Sequence, residues 1–169
     1  MPFAYNRLFP PMEVAMAKAA SFVPQGLQTM TPQLVLDNAA ETIEWYKKAL
    51  GMEELNRSLG PDGKVMHAEL RIGTSRFYCN DPMMGKGPGG YGGSPASFWL
   101  YVPDADALFD RAKSAGAKEM MPMQDQFWGD RAGLLQDPNG YSWWIATRKE
   151  DFTPDELKQR AEAFFASQK

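Results

Sequence analysis

Apolar and polar positions along this chain follow two rhythms, and the same order of rhythms occurs twice. Gln33-Leu-Val-Leu-Asp37 is a short apolar run with period two, the pattern of a strand. It leads into Asn38-Ala-Ala-Glu-Thr-Ile-Glu-Trp-Tyr-Lys-Lys-Ala-Leu50-Gly51, where Ile43, Tyr46 and Leu50 recur at helical spacing. Asn38 stands where a capping residue would, Glu41 where a capping box would close, and Gly51 where the helix would end. Later, Phe98-Trp-Leu-Tyr-Val102 reads as a strand. Asp104 then opens a helix with Ala105, Leu108, Ala112 and Ala115 on one face, closed by Gly116.

Each helix is followed by three strand-like runs. In the first half these are 52–59, 64–72 and 76–80, parted by Pro61-Asp-Gly63 and Gly73-Thr-Ser75. In the second they are 118–123, 131–136 and 141–147, parted by Phe127-Trp-Gly129 and Pro138-Asn-Gly140. Gly and Asn supply the positive φ that such tight turns need. The pattern predicts an α+β protein of two tandem βαβββ modules, 29–80 and 97–149. A third helix lies within 150–169, with Thr153 as cap, Pro154 at its first turn, Glu156 completing the box, and Leu157, Ala161 and Phe164 as its apolar face. Residues 1–28, with four prolines and an Ala-rich stretch, read as a flexible arm without the features of a secretory signal. Residues 81–96 are dense in glycine and read either as a spacer or as a lid, with Met83, Met84 and Tyr91 as its contacts.

Composition narrows the function classes. The chain has 169 residues and a net charge of -3 with no basic block, which argues against sequence-independent nucleic-acid binding. No apolar run is long enough for a membrane span. The single cysteine, Cys79, excludes an intramolecular disulfide framework and a cysteine-cluster zinc site. Its neighbour Asp81 is expected to raise the thiol pKa and so disfavour a reactive thiolate. The location that remains by default is the cytoplasm. No phosphate-cradling or dinucleotide fingerprint is present, because the glycines of 85–93 lack the spacing and the strand-to-helix context.

Two βαβββ modules, the helix ending Trp45-Tyr-Lys-Lys-Ala-Leu-Gly-Met52 and the Asp137-Pro-Asn-Gly140 turn together resemble the vicinal oxygen chelate superfamily, the glyoxalase, bleomycin-resistance and dioxygenase group. Gly63-Lys-Val-Met-His-Ala-Glu-Leu70 and Asp125-Gln-Phe-Trp-Gly-Asp-Arg131 resemble its PhnB-like branch. The resemblance runs from about Thr31 to Arg148. It implies sheets curled around a cavity, frequent pairing of chains, and chemistries that range from lyases and oxygenases to plain binders. It also implies metal points at the start of each module's first strand and the end of its fourth. Those points fall on Thr31, on Phe77 or Tyr78, on Ser97 and on Trp144, none a usual metal ligand. With His67 the only histidine, no cofactor is expected, although a divalent metal held by His67, Glu69 and a distant carboxylate stays open.

Strand alternation assigns faces. Leu34 and Leu36 should meet the helix, leaving Gln33 and Val35 on the cavity side. Met66, Ala68, Leu70 and Ile72 form one face of their strand, with Val65, His67, Glu69 and Arg71 on the other. Phe98, Leu100 and Val102 go to the core, and Trp99, Tyr101 and Trp144 to the cavity. His67 and Glu69 are the catalytic candidates, a general base and the carboxylate that orients it; the alternative is a polar partnership of these side chains with Arg71, Arg57 or Lys64. The candidate ligand residues are Gln33, His67, Glu69, Tyr78, Trp99, Tyr101, Trp128, Arg131 and Trp144. Trp128 and Arg131 sit at a Trp-Gly turn that borders the ligand cleft in the resembled resistance proteins, and a salt bridge is the other role open to Arg131.

Three functions follow. One is metal-independent binding of a small aromatic or cationic molecule by a homodimer. Another is a lyase, isomerase or oxygenase using His67 and Glu69. The third is a structural protein whose rings fill its own cavity.

Overall fold

The computed structural model describes residues 21–82, 85–91 and 93–167, Tyr91 without its side chain; the arm before Ser21 and the contacts expected of Met83, Met84 and the Tyr91 ring lie outside the described residues. The first module is β1 (Gln33–Val35), α1 (Ala39–Leu50), β2 (Glu53–Leu59), β3 (Val65–Ile72) and β4 (Ser75–Asn80). The second is β5 (Ser97–Tyr101), α2 (Ala105–Ser114), β6 (Lys118–Asp125), β7 (Asp130–Gln136) and β8 (Ser142–Arg148), followed by α3 (Pro154–Ser167). Each module forms one four-stranded mixed sheet, in the orders β1-β4-β3-β2 and β5-β8-β7-β6. The first strand of each runs parallel to the fourth, and the remaining pairs are antiparallel.

The helix-facing sides of both sheets share one core. Tyr46 of α1 meets Phe77 of β4 and Trp143 of β8 edge to face, at centroid distances of 6.4 and 5.7 Å. Leu34, Leu36, Leu70, Leu135 and Ile145 close around them. The two helices also touch, where Trp45 Nε1 donates to Ala115 O and Arg111 Nε to Ala49 O, at 2.7 and 2.9 Å. Because the two inner faces meet each other, the two outer faces look away from the core in different directions. Neither sheet closes on itself.

The Asp137-Pro-Asn-Gly140 turn of the second module plugs into the first. Asp137 Oδ2 accepts from Tyr46 Oη and Trp143 Nε1, and Oδ1 from the backbone of Asn139 and Tyr141. The Asn139 side chain accepts from Asp37 N and donates to Thr42 Oγ1.

Several local expectations change. Asn38 does not cap α1: its backbone is left-handed, at φ 56°, and its side chain makes no capping bond. The free N–H of Ala39 is taken by Asp81 Oδ1 at 2.8 Å, while Asp81 Oδ2 accepts from Val65 N at 2.8 Å. A residue just past β4 thus satisfies the helix start, so no local capping box forms around Glu41. Met66 does not join the apolar face of β3. The pairing with β2 slips between Ser58 and Leu59, Met66 becomes the extra residue of a bulge and is exposed, and Val65 takes the core position. In α2 the core face also includes Phe109. Thr153 and Glu156 form the reciprocal box at the start of α3, yet none of that helix's residues is buried, and Leu157 and Phe164 stay partly exposed.

The glycine-rich connection is tied down at two points. Both oxygens of Asp37 accept from its backbone, Oδ1 from Gly87 N at 2.7 Å and Oδ2 from Gly90 N at 2.8 Å, around a short turn over Pro88–Tyr91.

Candidate ligand site

The outer face of the second sheet is aromatic. Trp99 of β5 pairs in register with Trp144 of β8, so period two sends both side chains to the same side. Their indoles stack at 4.8 Å between centroids and within 7° of parallel. The spacing is that of neighbouring strands, so the sheet itself sets the stack. Tyr101, two residues on from Trp99, extends the surface with its ring 6.1 Å away and tilted by 23°. Trp128 stands across the end of the stack, 6.3 Å from Trp99 at 71° and 6.4 Å from Trp144 at 78°. Despite these contacts Trp99 keeps 45% and Tyr101 56% of its surface exposed. Ala132 and Ala146, both fully buried, share this side of the sheet, so no large side chain rises between the rings.

Asp130 anchors the group. Its Oδ2 accepts from Tyr101 Oη and from Trp128 Nε1, each at 2.9 Å, and Oδ1 accepts from Arg148 Nη1 at 3.1 Å. Burial, helped by this carboxylate, pushes the Tyr101 phenol above its usual range. Gly129, at φ 95°, lets the turn fold back so tightly that an added Cβ would collide with Glu150 O.

Arg131 lies on the opposite side. Its guanidinium holds Asp106 of α2 with two contacts of 2.6 Å and Asp125 with one of 3.3 Å. Asp130 and Arg131 alternate, and of the two it is Asp130 that joins the rings. Sequence reasoning left Asp130 out of the candidate set, although a signal was available. Leu135 belongs to the core, and period two puts Arg131 on the side of Leu135 and Asp130 on the side of Trp144's partner Leu134.

The outer face of the first sheet is polar. Gln33 sits opposite Tyr78 across the parallel β1–β4 pair, and Gln33 Nε2 donates to Asn80 Oδ1 at 2.6 Å. The His67 and Tyr78 rings tilt against each other at 4.7 Å. Glu69 faces the same way, but its carboxylate is taken by Arg76 Nη1 and Asn56 Nδ2, each at 3.0 Å. No His67–Glu69 hydrogen bond forms among the described residues. Arg71 pairs with Glu53, Arg57 with Glu54 and Glu44, and Lys64 with Asp62, so the partner of Glu69 is Arg76 and none of those three. Of the nine candidates, then, Trp99, Tyr101, Trp128 and Trp144 meet on one face, Gln33, His67, Glu69 and Tyr78 on another, and Arg131 on neither.

At the metal points the fold family implies, Phe77 is buried in the core, so the first sheet offers Thr31 and Tyr78 and the second offers Ser97 and Trp144. Two hydroxyls, a phenol and an indole do not fit a divalent metal, which needs three or four carboxylate, imidazole or thiolate donors converging. Among the described residues no three His, Cys, Asp or Glu side chains come together to hold one. Cys79 is buried, and burial more than Asp81 pushes its thiol up to about 12. Among the described residues no helix is long and apolar enough to cross a membrane.

Residues 28–145 match the model of the Glyoxalase/Bleomycin resistance protein/Dioxygenase superfamily. The chain belongs to this superfamily. A protein of Mycobacterium bovis is 42% identical over 135 residues, spanning 76% of this chain and 89% of its own length. Among solved structures, TioX from Micromonospora sp. ML1 superposes with a TM-score of 0.59 at 26% identity, over 72% of this chain and 98% of its own. The bleomycin resistance determinant encoded on the transposon Tn5 superposes at 0.55 and 22% identity, over 73% and 99%, and shares the fold.

Proposed function

We propose that this superfamily member is a cytoplasmic homodimer that binds a small planar aromatic or cationic organic molecule without a metal, in the manner of drug-binding resistance proteins. The observation that carries the reading is half-exposed Trp99, stacked on the more buried Trp144 and flanked by half-exposed Tyr101. Folded proteins normally bury such rings or leave them scattered. A contiguous exposed group on a rigid sheet is a binding surface. A flat ring or a cation over indole gains about 0.5–2 kcal/mol per contact.

The directions of the two faces support the dimer. One chain presents its aromatic face and its polar face in different directions, so neither encloses a ligand alone. A two-fold pair of chains can set the aromatic face of one copy against the Gln33, His67 and Tyr78 face of the other, giving two equal clefts. Engagement of Glu69 by Arg76 and Asn56 favours a binding and specificity role for the polar face over general-base chemistry.

The test is calorimetric titration with N-methylquinolinium, a planar cation, beside neutral planar aromatics. Saturable binding that weakens about tenfold in Trp99→Ala, with the melting temperature nearly unchanged, is the expected result. No heat from any member of the panel, or binding indifferent to Trp99→Ala, would overturn it.

A further inference from the structure

The Trp144–Trp99 stack ends in mid-air. On its inner side Trp144 lies over β7, opposite Leu134, but β5 is the edge of its sheet, so no strand stands beyond Trp99. Trp99 keeps 45% of its surface exposed, and among the described residues the rings that meet it are Trp144, Tyr101 and Trp128. A cleft of about 330 Å³ has Trp99 and Ser97 of β5 in its lining, together with Gln28, Met30 and Pro32 from the segment before β1. Phe98, Leu100 and Trp143 of the second sheet and Leu34 and Phe77 of the first also line it, so the cleft that borders Trp99 is shared by the two sheets. Ile72 of β3 is a further apolar lining residue. The inner lining is aliphatic and aromatic; the polar groups, Ser75, Ser97 and Arg76 among them, accompany the apolar side chains without a buried charge in the interior. Its volume falls within the usual range for small-molecule sites.

We infer that the ligand of the aromatic face carries an aliphatic substituent, its planar head stacked on Trp99 and its chain in the cleft shared by the two sheets. This inference rests on the aromatic-face reading and goes beyond it in ligand class. A bare planar ring would leave the apolar cleft empty. A purely aliphatic molecule would forgo the stack. An alkyl-substituted planar ring uses both surfaces with one molecule, because Trp99 belongs both to the stack and to the lining of the cleft. The polar groups of Arg76 and Ser97 in the lining tolerate a polar link between head and chain.

The experiment is calorimetric titration of the full chain with N-methyl-, N-butyl- and N-octylquinolinium. Affinity should rise about three- to fourfold with each methylene that leaves water, until the cleft is full. Ile72→Trp, which adds bulk to the cleft lining on the sheet opposite Trp99, should flatten that dependence while leaving the N-methyl probe bound as before. Leu100→Trp serves the same purpose from the other sheet should Ile72→Trp fail to keep its melting temperature. Equal affinity for the methyl and octyl probes overturns the inference and leaves the Trp99 reading standing. A chain-length dependence that survives both filling variants also overturns it, since the chain then lies elsewhere. Absence of N-methyl binding brings down the aromatic-face reading itself.

Discussion

The Tyr46 hydroxyl donates to Asp137 Oδ2 at 2.7 Å, tying the helix of the first module to the last turn of the second. Trp143 Nε1 and two backbone N–H groups complete the shell of that carboxyl group, all inside the shared core. The two modules are therefore joined by a polar centre as well as by apolar packing. Tyr46→Phe keeps the ring against Phe77 and Trp143 and deletes one donor to a buried acceptor. It should cost about 1–2 kcal/mol in urea unfolding. A loss below about 0.3 kcal/mol would mean that the hydroxyl does not bridge the modules.

Asp81 should matter more to α1 than the residue at its cap position. Asp81→Ala removes acceptors from both Ala39 N and Val65 N, and should destabilise by about 2–3 kcal/mol. Asn38→Gly should be neutral or slightly stabilising, since glycine adopts the left-handed φ of 56° without strain. Chemical denaturation of the two variants separates the readings. A side chain that truly capped the helix would lose stability on Asn38→Gly and leave Asp81→Ala mild.

This division marks where the sequence was legible. Period-two and helical spacing located both modules, the third helix and the shared face of Trp99, Tyr101 and Trp144, because those patterns depend on neighbours along the chain. The Asp81 cap and the Tyr46–Asp137 bond depend on residues 42 and 91 positions apart, and no local pattern announces them. The bulge at Met66 was invisible for a related reason: it arises in the pairing of two strands, and β3 read alone shows an unbroken alternation. Asp130 lay within reach, had the parity of β7 been counted from Leu135.

Alkaline stability should decline in a defined window. Burial raises the Cys79 thiol from 9.0 to about 12, and burial beside Asp137 raises the Tyr46 phenol well above its ordinary range. Both folded-state pKa values exceed the unfolded ones. The unfolded chain therefore loses these protons first, and the stability they contribute is complete below about pH 9 and is lost as pH rises toward 12. Melting temperatures should hold level from pH 7 to 9 and fall beyond, by a few kcal/mol of stability. Cys79→Ala should flatten part of that fall. A wild-type melting temperature unchanged through pH 11 would sink the assignment.

Asp130 should fix Trp128 and Tyr101 without holding the stack beneath them. Trp99 and Trp144 are set by the register of β5 and β8, whereas Trp128 sits on a turn and depends on the Asp130 carboxylate. Asp130→Ala should therefore free Trp128 and Tyr101, leave Arg148 without its buried partner, and cost about 1–3 kcal/mol. Acrylamide should quench tryptophan emission more strongly in this variant, and N-methylquinolinium should bind several-fold more weakly. The exciton couplet that two indoles stacked at 4.8 Å give in circular dichroism should persist in Asp130→Ala and vanish in Trp144→Phe. If Asp130→Ala erased the couplet as well, the stack would depend on the anchor, and the sheet would not be the rigid frame on which the ligand face rests.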